Sequence, residues 1–480
     1  MSLSSRFLRR LAAPALLAAA AAAHADTIRI AIGTQDTTIN CAAGGLLIRE
    51  LHLLDKYLPH TGKYADVKYD IEWKDFTSGA PITNEMVAGK LDFGVMADFP
   101  GALNGAAFRK AGKRSEFITV LSGSVDGSGN GIVVPNDSPV RGIADLKGKT
   151  ISVPFASTAH GMLLRAIRAQ GWNPDTDVNI ITQAPEVAGS ALKAGKIAAH
   201  ADFVPYADLF PYRGIARKIY DGSQAHAPTF HGTLVDADYA ARYPEVVVAY
   251  LRAAIEANQR LDREPEKTAL LIEKVTGIEA PVDYLYLGPL GLQTRDLSWK
   301  PAYRQAVATA INTLKLLKKS DSEPDPATFI DDRYIREAFK QSGLDYAAAL
   351  KNTAPTPLAA NDAKTGKPLR DARDLAQLWP AGDAPIRNYA QPADAFAEAR
   401  RIEQGGGKPR ALFVRDHDSG LKLFANQAWY VKGAHGEIAA FLLKSEAETY
   451  AQRAAGTVAD YAAVSGLAGT SAATATTAAR

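Results

Sequence analysis

Strand-like and helix-like segments alternate twice along the first half of this chain, and that alternation restricts the folds open to it. Residues 27–33 alternate polar and β-branched side chains as a strand does, and residues 46–58 place apolar side chains at helical spacing. The same alternation repeats in a second block of similar length, so the two blocks span about 26–125 and 126–230. Strands that alternate with helices favour parallel sheets, so the sequence predicts an α/β fold.

The chain changes character after residue 230. Long helical segments dominate residues 231–350, and a stretch rich in proline, alanine and polar residues at 351–363 predicts a linker. Residues 364–465 then form a small separate α+β domain in this prediction. The Ala/Thr/Ser-rich end, 466–480, predicts a disordered tail.

The first 25 residues have the composition of a secretory signal peptide. Three arginines precede an uncharged Leu/Ala run, and the sequence AHA at residues 23–25 supplies small residues for cleavage. The run of about thirteen apolar residues is too short to span a bilayer. We therefore predict export out of the cytoplasm, with cleavage after Ala25.

The charge balance and the cysteine count exclude several classes of protein. Removal of residues 1–25 takes away three of the 55 basic residues and none of the 52 acidic ones, so 52 of each remain. Such a neutral chain lacks the basic surface that nucleic acids require, and no nucleic-acid partner is expected. Cys41 is the only cysteine, which excludes an intrachain disulfide and predicts a buried, inert thiol.

Four segments of the sequence together carry a resemblance to a known family. Residues 146–160 read LKGKTISVPFASTAH, residues 89–94 read GKLDFG, and residues 329–335 read FIDDRYI. Residues 232–247 add GTLV and YPEVV. Together these segments resemble the periplasmic solute-binding proteins of the nitrate/sulfonate/taurine type, over roughly residues 27–350.

That resemblance implies an architecture and a function. It implies a two-lobed periplasmic-binding-protein (Venus-flytrap) fold, with lobe I at 26–125 and 231–350 and lobe II at 126–230. The expected function is the substrate-binding component of an ABC importer, which captures a small sulfonate, nitrate-like anion or zwitterion between its lobes. The expected partners are this ligand and an inner-membrane permease, and the expected oligomeric state is a monomer.

The segment at 364–465 has a resemblance of its own. AWYV at 428–431, EIAAF at 437–441 and GTV at 456–458 are similar to motifs of the accessory proteins of nitrous oxide reductase, which handle copper. This segment has no cysteine or methionine, although soft copper(I) sites favour those ligands. His417 and His435 remain as candidate metal ligands, and a periplasmic assembly factor for a copper enzyme remains an alternative function.

The candidate ligand-binding residues lie in loops that follow predicted strands or precede predicted helices. Such positions offer polar side chains and the free N–H groups of helix starts. Residues 157–160 are the strongest of these candidates, because Ser157 or Thr158 caps a predicted helix. The segment 98–101 is predicted as a loop, and a carboxylate there suits the amine of a zwitterion. The predicted residues are Gln35, Asp36, Thr37, Ser78, Gly79, Asp98, Phe99, Ser157, Thr158, His160, Asp202, Tyr206 and His226.

Two other functions are weighed against this one. His160, His200, His226 and His231 are candidates for a transition-metal or metal-complex site, since imidazole suits zinc, nickel and copper(II). No pair of them has a tight ligand spacing such as H-x-x-x-H. No G-x-S-x-G, H-E-x-x-H or Walker A sequence occurs, so we predict neither enzyme activity nor a cofactor.

Overall fold

The computed structural model describes residues 26–295, 297–316, 322–370, 373–382, 384–434 and 436–467. The predicted signal peptide, 1–25, lies outside these residues. The strands of the first half are β1 (Thr27–Thr34), β2 (Lys68–Asp75), β3 (Phe93–Ala97), β4 (Ser115–Ser124), β5 (Gly131–Pro135), β6 (Thr150–Val153), β7 (Asn179–Thr182), β8 (Ala199–Asp202), β9 (Ala216–Asp221) and β10 (Thr229–Asp236).

Helices surround these strands and fill the stretch after them. They are α1 (Leu46–Glu50), α2 (Gly79–Val87), α3 (Asp98–Lys110), α4 (Thr158–Ala169), α5 (Pro185–Lys193), α6 (Tyr206–Tyr212), α7 (Ala237–Arg242), α8 (Pro244–Arg263), α9 (Pro265–Thr276), α10 (Ala280–Leu287), α11 (Pro301–Leu316), α12 (Arg333–Gln341) and α13 (Tyr346–Lys351). Within the described ranges no helix combines the length and the apolar character that a bilayer crossing requires.

The strands form two five-stranded sheets. The first has the order β2-β1-β3-β10-β4 and the second the order β7-β6-β8-β5-β9. We call the unit around the first sheet lobe I and the unit around the second lobe II. The chain crosses between them from β4 to β5 and returns from β9 to β10, which gives the two-lobed periplasmic-binding-protein fold that the sequence predicts.

The prediction of parallel sheets is wrong for one strand in each lobe. β10 runs antiparallel to β3 and β4, and β5 runs antiparallel to β8 and β9. Both β5 and β10 are the first strands after a short crossing between the lobes. Each of them therefore begins at the side of its sheet that faces the other lobe, where the parallel strands end. Hydrophobic periodicity carries no information on strand direction, and it does not reveal this reversal.

The predicted helix at 46–58 is also shorter in the structure. α1 ends at Glu50, and the chain continues as turns, with His52 at a φ of +51°. A residue with that backbone angle interrupts a right-handed helix. The apolar side chains Leu53, Leu54 and Leu58 are nevertheless buried, so the predicted apolar face is kept without the helix.

In its described residues the C-terminal unit contains two small sheets and three α-helices. Its elements are β11 (Ala376–Trp379), β12 (Arg387–Tyr389), α14 (Pro392–Gln404), β13 (Ala411–Arg415), β14 (Lys422–Phe424), β15 (Trp429–Lys432), β16 (Ile438–Phe441), α15 (Lys444–Ala454), β17 (Thr457–Ala459) and α16 (Tyr461–Ser465). The sheet orders are β12-β11-β13-β14 and β16-β15-β17. The predicted tail begins too early at its first two residues, because Gly466 caps α16 and Leu467 packs in the core of this unit. The rest of the predicted tail, 468–480, lies outside the described residues.

The C-terminal unit packs against the lobes rather than standing apart from them. Trp379, Phe413 and Phe424 belong to the same buried apolar cluster as the core of the lobes. Phe424 lies 5.0 Å, between ring centres, from Tyr212 of α6 in lobe II. The side chain of Gln377 donates to the hydroxyl of Tyr284 in α10 at 3.1 Å.

Candidate functional site

A cleft of about 450 Å³ opens between the lobes, where the carboxyl ends of their parallel strands meet. Three larger hollows, of about 780, 840 and 550 Å³, lie away from these strand ends. The cleft is the candidate site because both lobes line it with groups that begin helices. Lobe I supplies Gln35, Thr38, Thr77, Ser78, Pro100 and Leu103, and lobe II supplies Phe155, Ser157, Thr158, Gln183, Glu186 and Phe203.

The start of α2 forms one wall of the cleft. Ser78 occupies the N-cap position of α2, yet its hydroxyl makes no capping hydrogen bond. The first N–H groups of a helix have no partner within the helix, so the N–H groups of Gly79 and Ala80 offer donors to a ligand. Gly79 is required here by packing, since a Cβ at this position would lie 2.8 Å from the Cβ of Pro100.

The start of α4, in lobe II, forms the wall of the cleft that faces α2. Ser157 caps this helix, because its Oγ accepts a hydrogen bond from the backbone N–H of His160 at 3.2 Å. The same hydroxyl donates to the carbonyl of Pro154 at 2.6 Å and so fixes the turn between β6 and α4. Ala156, within that turn, has a φ of +63°. The next side chain, Thr158, donates to Asn130 at 3.3 Å.

Gln35 connects the cleft to the sheet of lobe I. It follows β1, and its Nε2 donates to the carbonyl of Val95 in β3 at 2.8 Å. His231 of β10 lines the cleft beside it and lies 3.3 Å, through Nδ1, from the amide nitrogen of Asn40. Burial lowers the pKa of His231 to about 3, so this ring is neutral at physiological pH.

Asp98 lies just behind the wall of the cleft. Its neighbours Ala97 and Pro100 line the cleft, while its own side chain is buried. Burial raises the pKa of this carboxyl to about 6, although the N–H of Phe99 donates to it at 2.6 Å and the charge of Arg165 in lobe II opposes the shift. A carboxyl with this pKa changes its charge within the range of pH that a periplasmic protein meets.

The prediction of a loop at 98–101 is wrong. α3 begins at Asp98, so Asp98 and Phe99 lie in its first turn rather than in a ligand loop. Pro100 indicates a loop in the sequence, but proline is tolerated in the first turn, where its missing N–H costs no hydrogen bond. Phe99 is buried and does not line the cleft.

The structure brings five of the predicted ligand-binding residues into the cleft wall and places the others elsewhere. The five are Gln35, Ser78, Gly79, Ser157 and Thr158. Asp36 instead forms an ion pair with Arg49 at 2.8 Å within lobe I. Its carboxylate therefore serves the packing of lobe I, and its assignment to the cleft wall is corrected.

Two more predicted residues meet each other across the lobes. The side chain of Tyr206 in lobe II interacts with that of Thr37 in lobe I, and its hydroxyl lies 3.4 Å from Glu186. Neither Thr37 nor Tyr206 lines the cleft. Their contact joins the lobes in the present arrangement and is a link that opening of the cleft would break.

The four histidines proposed for a metal site do not converge. His200 is fully buried in lobe II, with its ring nitrogens 2.7 Å from Ser152 and 2.7 Å from Asp202. His226 is exposed at a left-handed turn, and His160 stacks on Phe155. Asp202 is thus a partner of a buried histidine, and the assignments of Asp202 and His226 to the ligand site are corrected as well.

The described part of the chain contains no candidate metal site. No group of three or more His, Cys, Asp or Glu side chains is arranged there to hold an ion. The ring of His417 lies 2.9 Å from Asp374. His435 lies outside the described residues.

Several lining residues were not predicted, and the sequence held a signal for some of them. Phe155 is an apolar residue within the otherwise small and polar turn that precedes α4. Thr77 and Thr38 adjoin predicted residues in the same loops. Gln183 and Glu186 follow β7, and no feature of that stretch distinguishes it from a surface loop in the sequence.

Comparison with known proteins identifies relatives of this chain. The NMT1-like family model matches residues 59–275. The putative aliphatic sulfonates-binding protein of Escherichia coli is 27% identical over 268 residues, which cover 56% of this chain and 78% of that protein. The taurine-binding periplasmic protein of Escherichia coli is 29% identical over 199 residues, which cover 41% of this chain and 59% of that protein.

A solved structure gives the same architecture. The alkanesulfonate-binding protein of Xanthomonas axonopodis pv. citri, bound to MOPS, superposes with a TM-score of 0.50. The match covers 64% of this chain and 97% of that protein at 22% identity. At this identity the likeness establishes the fold of the lobes alone.

Proposed function

We propose that this chain is the substrate-binding component of an ABC importer and that it captures a small organic anion or zwitterion between its lobes. The observation that carries the proposal is the convergence of two helix starts, those of α2 and α4, on one cleft at the strand ends. The similarity to sulfonate- and taurine-binding proteins supports the same class of ligand.

The arrangement suggests how a sulfonate-like anion would be held. The N–H groups at the start of each helix carry partial positive charge and point toward a bound anion. Ser78, Thr158 and Gln35 add side-chain groups of fixed position. No lysine or arginine is among the described lining residues, so the binding energy would come from directed hydrogen bonds in a cleft that closure dries.

The proposal extends to partner, location and chemistry. The partner is an inner-membrane permease that reads the closed lobes, and the chain works as an exported monomer after cleavage behind Ala25. We infer binding without catalysis, in keeping with Cys41, whose thiol is buried and whose pKa burial raises well above the usual range.

The C-terminal unit has the role of an accessory domain in this proposal. It contacts α6 of lobe II through Phe424 and α10 through Gln377. Its resemblance to accessory proteins of nitrous oxide reductase rests on sequence motifs alone, and no described contact favours copper delivery over support of the lobes.

Titration calorimetry of the chain from Asp26 onward tests the proposal. Taurine, ethanesulfonate, methanesulfonate and nitrate are the ligands, with glucose as a neutral control. We expect at least one of the acids to bind, and at about a hundred times its Kd to stabilise the fold by about 2.7 kcal/mol. Absence of binding by every acid, with the protein folded, contradicts the proposal.

A further inference from the structure

The cleft offers more apolar surface than a small inorganic or short aliphatic anion can use. Pro100 and Leu103 line it from lobe I, and Phe155, Pro185 and Phe203 line it from lobe II. Its volume of about 450 Å³ falls in the range of about 300–1,000 Å³ that pockets for drug-sized organic ligands occupy.

Phe155 is the most unusual of these side chains. It is 46% exposed, although the residues on either side of the turn are largely buried. Its ring stacks on the imidazole of His160, with ring centres 4.7 Å apart and planes inclined by only 3°. One face of the phenyl ring therefore rests on His160, and lobe I does not cover the remainder.

The turn that carries Phe155 is held in place. Ser157 ties it through the hydrogen bond to the carbonyl of Pro154, and the N–H of Ala156 lies 3.4 Å from Nδ1 of His160. Ala156 itself adopts a positive φ of 63°, which an L-residue adopts only when its surroundings impose it. An apolar ring kept half exposed by such a turn is positioned for contact with something that enters the cleft.

The end of the cleft at the start of α4 sets the orientation of a ligand. Ser157 and Thr158, which directly follow this turn, begin the helix whose N–H groups suit an anionic head. When an anionic head is held at the start of α4, the rest of the ligand lies beside the part of lobe II that carries Phe155. Glu186 lies at the exposed rim, and a negative charge on that side of the ligand is disfavoured.

We propose that the preferred ligand is an organic acid of single negative charge with a planar, ring-sized apolar body, and that Phe155 selects it by stacking on that body. This inference rests on the proposed function, because it assigns a substrate class to the same cleft. Aromatic rings prefer offset-stacked or edge-on contacts with one another, and such a contact adds to the area that is buried.

The experiment compares two ligands with the same head group, benzenesulfonate and ethanesulfonate, by titration calorimetry of the wild-type chain. We expect benzenesulfonate to bind about tenfold tighter or more, which is the order of the ring's contact and burial. Phe155→Ala and Phe155→Leu are expected to weaken the binding of benzenesulfonate more than that of ethanesulfonate and so to remove most of that preference. Val187→Ala is the matched control, since Val187 is a 52% exposed apolar residue of lobe II that does not line the cleft.

The outcomes separate the two proposals. If ethanesulfonate or taurine binds and benzenesulfonate binds no better, the assignment of a ring-bodied ligand is wrong and the proposed function stands. Loss of preference in both Phe155 variants but not in Val187→Ala supports the assignment. If no acid of either kind binds the folded wild-type chain, both proposals are wrong. The wild-type comparison needs no variant, so misfolding of a variant leaves it intact.

Discussion

The ammonium of Lys422 in the C-terminal unit lies 3.7 Å from the centre of the Tyr284 ring in α10. It also lies 4.7 Å from the ring centre of Phe413 and donates to the carbonyls of Tyr284 and Pro289 at 3.3 and 3.2 Å. This amine is buried without a carboxylate partner in these contacts, and burial lowers its pKa well below the usual range, while the aromatic faces and carbonyl oxygens replace its water. The C-terminal unit is thereby fastened to the helices of the binding protein.

Replacement of Lys422 tests whether its contacts hold the C-terminal unit against α10. We expect Lys422→Ala to lower the free energy of unfolding by about 2 kcal/mol, because it removes a donor from the carbonyl of Pro289 and a second donor from that of Tyr284, and leaves a gap between two rings. Urea denaturation measures the loss, and limited proteolysis reports whether the C-terminal unit is released first. Lys408→Ala, an exposed lysine in the same unit, is the control and should change stability by less than about 0.5 kcal/mol. Equal behaviour of the two variants would contradict the role given to Lys422.

Replacement of His200 gives a second test, because the effect of the variant on stability distinguishes a structural histidine from a metal ligand. His200→Ala leaves the Ser152 hydroxyl and the Asp202 carboxyl buried without their ring partner, and we expect a loss of about 3 kcal/mol. His226→Ala, at the surface, should cost less than about 0.5 kcal/mol. Thermal unfolding with and without zinc or nickel salts completes the test. A stabilisation by metal that His226→Ala abolishes would revive the metal site.

The sequence predicts the order of elements in both lobes because their apolar periodicity is strong. The predicted residues Gln35, Ser78 and Ser157 line the cleft, since these polar residues follow strands or precede helices whose ends meet at one sheet edge. The direction of β10 is not predicted, because strand pairing over more than a hundred residues leaves no local mark.

The errors at single sites have a common physical cause. Asp36, Asp202 and Asp98 are carboxylates at strand ends, where polar residues are expected to face a ligand. In the structure Arg49 pairs with Asp36, His200 pairs with Asp202, and the side chain of Asp98 is buried at the first turn of α3. Arg49 lies 13 residues from Asp36 and His200 lies two residues from Asp202, but hydrophobic periodicity does not show which polar side chains pair with each other. The half-exposed ring of Phe155 was missed for the opposite reason, since an apolar residue gives no polar signal.

Ser157 allows helix capping to be separated from ligand binding. Its Oγ caps α4, so Ser157→Ala is expected to lower the free energy of unfolding by about 1 kcal/mol. It should also weaken sulfonate binding about tenfold, because the start of α4 loses its fixed geometry beside the ligand. Asp345→Ala is the matched control, since Asp345 caps α13 by accepting from the N–H of Ala348 at 3.0 Å. That variant should lose similar stability with no change of Kd. A Kd unchanged in Ser157→Ala would place the ligand away from α4.

Asp98 predicts a pH dependence of both stability and binding. Burial raises the pKa of its carboxyl to about 6 in the folded chain, above the value of about 3.9 that an unfolded aspartate has. The folded state therefore holds more protons than the unfolded state between these values, and the contribution of Asp98 to stability falls as pH rises through about 6. Asp98→Asn should remove this fall, and the variant should gain stability relative to wild type from about pH 5 to about pH 7.

The same ionisation should weaken the binding of an anion. A sulfonate is ionised throughout this range, and the carboxyl of Asp98, whose pKa is raised to about 6, gains a negative charge that opposes the anion. Unit charges roughly 10 Å apart interact by roughly 0.4–1.7 kcal/mol at dielectric constants of roughly 80 to 20. We therefore expect the Kd of the bound sulfonate to rise about twofold to fifteenfold from pH 5 to pH 7.5 in wild type and to rise less in Asp98→Asn.

Glu446 supplies the control for this pair of measurements. Burial raises the pKa of its carboxyl to about 7, with the nearby charge of Asp416 acting in the same direction, but it lies in the C-terminal unit, away from the cleft. Glu446→Gln should therefore flatten the pH dependence of stability without affecting that of the Kd, since its charge is remote from the ligand. If Asp98→Asn keeps the wild-type pH dependence of Kd, the carboxyl behind Pro100 does not sense the ligand. The closeness of Asp98 to the bound anion would then have to be abandoned.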